Sequence, residues 1–264
     1  MTPADRFREL HRPGQPLLMP NPWDVGSAKL LEAVGFEALA TTSSGFAATL
    51  GRLDGSVTRE EAVAHAAALV EAVDVPVSAD FENCFAEEPE GVAETVRQGI
   101  AAGLAGCSVE DNSKREDDPV YEFELAVDRV RAAVEAAGGR IVITARAENH
   151  VLGREDLPDT IARLQAFQEA GADVLFAPGL RDREQIRQVV QSVDRPVNVL
   201  GAPGAPSVAE LAELGVSRIS VGGGFAFAAY GELVAAAEEL RERGTYDYWD
   251  NTLRGVQAVR SAFR

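Results

Sequence analysis

The feature that most constrains this chain is a phrase it uses four times. EAVGFEAL, AAGLAGCS, EAGADVLF and ELGVSRIS each close a helix-like stretch, place a glycine (Gly35, Gly103, Gly171, Gly215) and pass into a short apolar run. A glycine just beyond the last helical turn is a common helix stop. Its recurrence at one kind of junction marks a repeated strand-helix unit. Apolar runs at 17–20, 38–43, 75–81, 106–111, 141–147, 172–178, 196–201 and 218–222 are continuous rather than alternating, as suits strands covered on both faces. Helical patterns over 26–34, 59–73, 89–103, 122–137, 155–170, 181–193, 207–214 and 226–243 lie between them. Eight such units predict an α/β fold, a single (β/α)8 TIM barrel over residues 1–245. An open doubly wound sheet would want Gly-x-Gly-x-x-Gly after the first strand, where this chain has NPWDVGSAKL. Residues 246–264 are left over, with Trp249, Leu253, Val256 and Val259 at helical spacing. Such a helix either docks on a neighbouring subunit or folds back over its own barrel.

Charge narrows the function classes. Lysine and arginine number 25 and aspartate and glutamate 42 in 264 residues, a formal charge of −17. A field of that sign repels phosphate backbones and anionic lipid, so neither nucleic acid nor a membrane surface is an expected partner. No apolar run approaches bilayer length, and residues 1–16 lack the apolar region of a secretory signal. The two cysteines, Cys84 and Cys107, make no disulfide framework. A cytoplasmic setting follows.

In this architecture chemistry sits at the C-terminal strand ends. The polar residues there are Asn21 and Asp24, Thr42 to Gly45, Asp80, Glu82 and Asn83, Glu110 and Asp111, Arg146 and Glu148 to His150, Asn198, and Gly222 to Gly224. Asp80 and Glu82, two apart, share one side of an extended strand, and Glu110 ends the next. Acids so close raise each other's pKa unless a cation is present. Oxygen ligands of this kind favour Mg²⁺ or Mn²⁺; the alternative is that these acids cap helices or pair with Arg146. Arg146 can grip a carboxylate or phosphate bidentately, or be held in a salt bridge to Glu110 or Glu148. Thr42, Ser43, Ser44 and Gly45 offer hydroxyls and N–H groups to an anionic oxygen, and Asn198 adds a polar group from the seventh strand. Gly222–Gly224 form either a small anion nest or a close-packing point. Cys107 reads as core, Cys84 as a neighbour of the acids, and His150 as peripheral.

These strand-end residues carry a resemblance over nearly the whole chain. PNPWDVGSAKLLEAVGFEALATTSSGFAATLGRLDG, PVSADFEN, GCSVED, ITARAEN and PSVAELAELGVSRISVG, in this order, resemble the phosphoenolpyruvate mutase/isocitrate lyase superfamily. The resemblance implies a Mg²⁺ site with Asp80 as direct ligand and Glu82 and Glu110 acting through water. It also implies Arg146 on the substrate carboxylate, Ser44 and Gly45 at its carboxyl and oxo groups, and Asp54 beside the site. It implies dimers or tetramers that exchange a C-terminal helix, accounting for 246–264. Reaction through an enolpyruvate-like species of a small anionic 2-oxo or 2-hydroxy acid is the expected chemistry. The resemblance breaks at NSKREDDPVYEF. Lys114 and Arg115 echo a basic pair of the lyases, but Glu116 and Asp117 stand where Cys-Gly-His would follow, and the longer mutase gating loop is absent. A C–C lyase or decarboxylase is then the leading expectation. A phosphoenolpyruvate or carboxyphosphonoenolpyruvate mutase, a C–P bond hydrolase and a non-catalytic metabolite-binding barrel are the alternatives.

Overall fold

Gly35, Gly103, Gly171 and Gly215 all take positive φ, at 106°, 83°, 101° and 86°. This is the backbone a helix uses to turn out of its last turn, and one that side chains with a Cβ disfavour. The computed structural model, which describes residues 1–263, lays out the units in chain order. They are α1 (Pro3–Glu9), β1 (Leu17–Met19), α2 (Val25–Val34), β2 (Leu39–Ala40), α3 (Ser43–Thr49), α4 (Arg59–Ala72), β3 (Val77–Ala79), α5 (Pro89–Ala101), β4 (Gly106–Glu110) and α6 (Phe123–Ala137). Then follow β5 (Val142–Arg146), α7 (Leu157–Glu169), β6 (Val174–Phe176), α8 (Arg183–Ser192), β7 (Val197–Leu200), α9 (Val208–Glu213), β8 (Arg218–Ser220), α10 (Gly224–Glu242) and α11 (Trp249–Ala262).

All eight strands pair in parallel, in the order β1-β8-β7-β6-β5-β4-β3-β2. The two ends of that order meet where Ala40 N–H donates to Pro20 O at 3.1 Å and Asn21 Nδ2 donates to Thr41 O at 2.9 Å. The sheet is thus a nearly closed barrel with helices between its strands, a (β/α)8 fold. Val109, Ile143 and Leu175, all buried, belong to one continuous core with the inner faces of the surrounding helices.

Two helices depart from the expected pattern. Residues 1–16 gave no helical expectation, yet α1 forms there. Thr2 caps it, accepting from Asp5 N–H while the Asp5 carboxylate accepts from Thr2 N–H, and Pro3 opens the first turn. Its Phe7 is fully buried among Leu17, Ala105, Val142 and Val174 and closes the N-terminal end of the barrel. The second is α3. The strand expected over 38–43 ends at Ala40, because Thr42 leaves the ladder to cap α3, its side chain accepting from Gly45 N–H.

The first C-terminal helix leaves the barrel and the second returns to it. Of the nineteen residues of α10 only Ala226 and Glu239 are buried, and Phe225, Phe227, Leu233, Val234 and Leu240 are exposed. α11 runs back beside it, Asn251 Nδ2 donating to Glu232 at 3.1 Å, and packs on α2. Where an eighth barrel helix would lie, between α9 and α2, there is a cavity of about 530 Å³ lined by Leu18, Val34 and Val208. No helix among the described residues is long and apolar enough to cross a membrane.

Candidate active site

The barrel mouth is built from the ends of β2 to β5. Ser43 N–H, in the first turn of α3, donates to Asp80 Oδ2 at 3.1 Å, and Ser108 Oγ of β4 donates to Asp80 Oδ1 at 3.3 Å. Glu110 and Arg146 are direct ladder partners at the ends of β4 and β5. Arg146 meets three carboxylates: its Nη1 lies 3.1 Å from Asp80 and 2.7 Å from Glu110, and its Nε lies 2.8 Å from Glu148. Burial, reinforced by the neighbouring acids and opposed by Arg146, pushes the Glu110 carboxyl well above its ordinary range. Glu148 moves up for the same first reason, again against Arg146. The guanidinium itself is raised: Glu110, Glu148 and Asp80 outweigh the opposing effect of burial. The salt-bridge reading of Arg146 therefore holds in the isolated chain.

Asp80 and Glu82 do not share a strand face. β3 stops at Ala79, and Glu82, Cys84 and Phe85 take positive φ of 50°, 58° and 55° in the turn that follows. Buried Arg129 of α6 clamps that turn by donating to the carbonyls of Asn83, Ala86 and Glu87, its guanidinium over the Tyr121 ring at 4.2 Å. Glu82 is thereby carried toward Lys114, 2.5 Å away, and its other oxygen, Oε1, is buried with no hydrogen-bond partner. Burial raises the Glu82 carboxyl despite Lys114. Cys84 is buried, its Sγ 3.6 Å from Ser108 O, and burial pushes its thiol up to about 12, which leaves it unreactive.

A cavity of about 320 Å³ opens below this rim. Thr42, Ser43, Ser44, Asp54, Asp80, Glu110, Arg146 and Asn198 line it; Gly45 and Glu82 do not. Asp54 comes from the exposed loop after α3. Gly45 is instead a packing position, since a Cβ there would stand 2.6 Å from Thr42 Cγ2 and 3.0 Å from Trp23 Cβ. The amide of Asn198 is occupied, Oδ1 accepting from Arg218 and Nδ2 donating to Ser220. Of the Gly222–Gly224 N–H groups, that of Gly222 is taken by Asn21 Oδ1 at 2.8 Å and that of Gly224 by the Val221 carbonyl at 3.0 Å. His150 lies off the cavity.

The fit to a divalent cation rests on two observations. Four carboxylates, Asp80, Glu82, Glu110 and Glu148, crowd two cations, Arg146 and Lys114, and Glu82 Oε1 is a buried oxygen without a donor. No three His, Cys, Asp or Glu side chains converge at ligand distance among the described residues. The residues present thus offer the hard carboxylate oxygens that Mg²⁺ or Mn²⁺ takes, without a ready-made cluster of three.

The phosphoenolpyruvate phosphomutase family model matches residues 7–241, the whole barrel. The chain belongs to the phosphoenolpyruvate mutase/isocitrate lyase superfamily. A crystal structure from Burkholderia cenocepacia J2315, of a protein provisionally assigned as a lyase or mutase, superposes with a TM-score of 0.89 at 49% identity over 93% of this chain and 90% of that one. 2-Methylisocitrate lyase of Escherichia coli K12 is 30% identical over 74% of this chain and 69% of its own length. Oxaloacetate decarboxylase of Paraburkholderia xenovorans LB400 is 31% identical over 77% and 70%. Superfamily members are enzymes, lyases and mutases among them.

One residue at this site, Arg218, escapes sequence reasoning, and another, Asp111, is placed by it at a strand end without a role. Arg218 lines the floor of the cavity, although it opens β8 rather than ending it; an arginine at the start of an otherwise apolar strand was the available signal. Asp111 supports the mouth from behind: its Oδ1 accepts from Glu148 N–H at 2.8 Å and its Oδ2 pairs with Arg163 at 3.2 Å. Burial raises Asp111 to about 7.

Proposed function

We propose that this chain is a cytoplasmic, Mg²⁺-dependent lyase or decarboxylase that cleaves a C–C bond of a small 2-oxo or 2-hydroxy carboxylic acid. The observation that carries the reading is the excess of buried carboxylate around Arg146. A divalent cation relieves that excess, with Asp80 as its direct protein ligand and Glu82 and Glu110 reached through water; Mn²⁺ would serve the same donor set. When bound, the cation supplies Lewis-acid stabilisation of the oxygen that gains charge as the bond breaks. Relieved of part of its carboxylate load, Arg146 grips the substrate carboxylate; its three close contacts use Nε and Nη1. Ser44, with the Thr42 and Ser43 groups of the α3 turn, faces the oxo and carboxyl oxygens. Asp54 closes over them from the rim, and the orientation of all these groups is fixed before substrate arrives.

The test is turnover of oxaloacetate, 2-methylisocitrate and phosphonopyruvate with and without Mg²⁺. Asp80→Asn keeps the side-chain volume and lowers kcat/KM at least about 100-fold, and EDTA abolishes turnover in the wild type. Turnover indifferent to both changes would sink the metal role, and turnover of phosphonopyruvate alone would move the activity to C–P chemistry.

We further propose that the chain works as a homodimer or homotetramer in which residues 246–264, packed on α2 of their own barrel in the single chain, exchange that seat for the same one on a neighbouring subunit. The exposed apolar side chains of α10, and Leu18, Val34 and Val208 in the groove between α9 and α2, are surfaces of the kind a second subunit covers.

A further inference from the structure

Below the acids, the barrel holds a second guanidinium. Arg218 is buried, and all of its hydrogen-bond partners are neutral. Nε donates to Asn198 Oδ1 at 3.0 Å, Nη1 and Nη2 both reach Thr144 Oγ1 at 3.2 Å, and Nη1 lies 3.2 Å from His11 Nε2. The His11 contact is also an uncharged one. His11 Nδ1 sits 2.8 Å from the Phe7 carbonyl, which can only accept, so the ring proton is on Nδ1 and Nε2 presents a lone pair. Burial and then Arg218 lower His11 to about 3, so it stays neutral.

Among the described residues no carboxylate pairs with Arg218. The one charged group acting on it is Arg146, which repels it and, after burial, helps lower it to about 9. Four of its five N–H groups have acceptors in these contacts, and the second hydrogen of Nη2 has none. A buried cation left this way is costly unless an anion joins it. Arg218 lines the same cavity as Asp80, Glu110 and Arg146, so an anion can reach it only by sharing the substrate's own space.

We propose that Arg218, oriented by Asn198 and Thr144, is a floor subsite for a second carboxylate of the substrate. This rests on the oxo-acid reading above and narrows it to dicarboxylic 2-oxo or 2-hydroxy acids. The volume of about 320 Å³ lies at the lower end of ligand pockets, as suits a small diacid.

Two probes separate the subsites. Oxalate is short and needs only the cation and Arg146; 3,3-difluorooxaloacetate carries a distal carboxylate and does not enolise. Titration calorimetry with Mg²⁺ present should give tight binding of both to the wild type. In Arg218→Gln, difluorooxaloacetate binding weakens at least about 10-fold, the loss of a charge-assisted pair, while oxalate binding changes less than about 2-fold and certifies the fold. Arg218→Lys, which keeps the charge but not the fork, falls between, and carries the test alone if the glutamine variant does not fold. Equal weakening of both probes, unchanged difluorooxaloacetate binding, or a wild type that binds oxalate but not the diacid overturns the floor subsite and leaves the oxo-acid reading standing. A wild type that binds neither probe brings down both.

Discussion

Arg146 and Arg218 show how one residue type is put to opposite uses by its surroundings. The first is over-supplied with carboxylates and the second has none. Half-buried His65 is a third basic residue, and it is held neutral. Its ring stacks on Phe46 at 3.9 Å, and Nε2 lies 3.1 Å from Trp23 O. Burial, partly offset by that carbonyl, lowers it to about 4. Between pH 4 and 6.5 the unfolded chain binds a proton at His65 that the folded chain refuses. Its contribution to stability is therefore complete above 6.5 and is lost as pH falls toward 4. Urea unfolding of wild type and His65→Phe across pH 4 to 7 should show the wild-type advantage growing with pH, by up to about 3 kcal/mol; a constant difference would refute the assignment. At this scale the acids at strand ends were legible, because a barrel exposes chemistry there. Arg218 was not, because its position at the start of β8 carries no such rule. The turn geometry of Glu82 was also hidden, since positive φ at a non-glycine depends on the distant clamp of Arg129.

Elements were legible where local signals and burial agree. The glycine stops and continuous apolar runs placed all eight strands and the helices between them. Strand lengths were overestimated where an apolar run outlasts its ladder, as at 38–43, where Thr42 caps α3. The seven residues of α3, rich in serine and glycine, look like a turn from sequence, and their helicity comes from that cap. α1 carries a readable capping box in Thr2 and Asp5, but its purpose is tertiary. Phe7 fills the foot of the barrel so closely that a Cβ on Gly106 would come within 2.9 Å of its ring. Phe7→Ala should cost about 3–5 kcal/mol in urea denaturation, because the surrounding strand starts are fixed and cannot collapse into the void. A loss below 1 kcal/mol would mean that α1 is not part of the folded core.

For the whole molecule, one chain is an unfinished surface. Leu233 and Val234 are 64% and 55% exposed on α10, and replacing both by aspartate should convert a dimer or tetramer to monomer in sedimentation velocity. A wild type that sediments as a monomer at micromolar concentration would remove the assembly proposal. The formal charge of −17 sits mostly on the outside, so an anionic substrate is drawn in only by the local cations. The barrel itself is not uniform around its circumference. β4 and β5 share five paired residues, whereas β2 and β3 share two and the β1–β2 junction is held mainly by the Pro20 and Asn21 contacts. The longest ladder ends in Glu110 and Arg146, so strand pairing itself sets their register. The short-laddered arc carries Thr42, Ser43 and Ser44, so on that wall the anion-facing groups owe their placement to the α3 cap and the Ser43 N–H bond to Asp80 rather than to strand pairing, and a change at Thr42 or Asp80 would be felt by both.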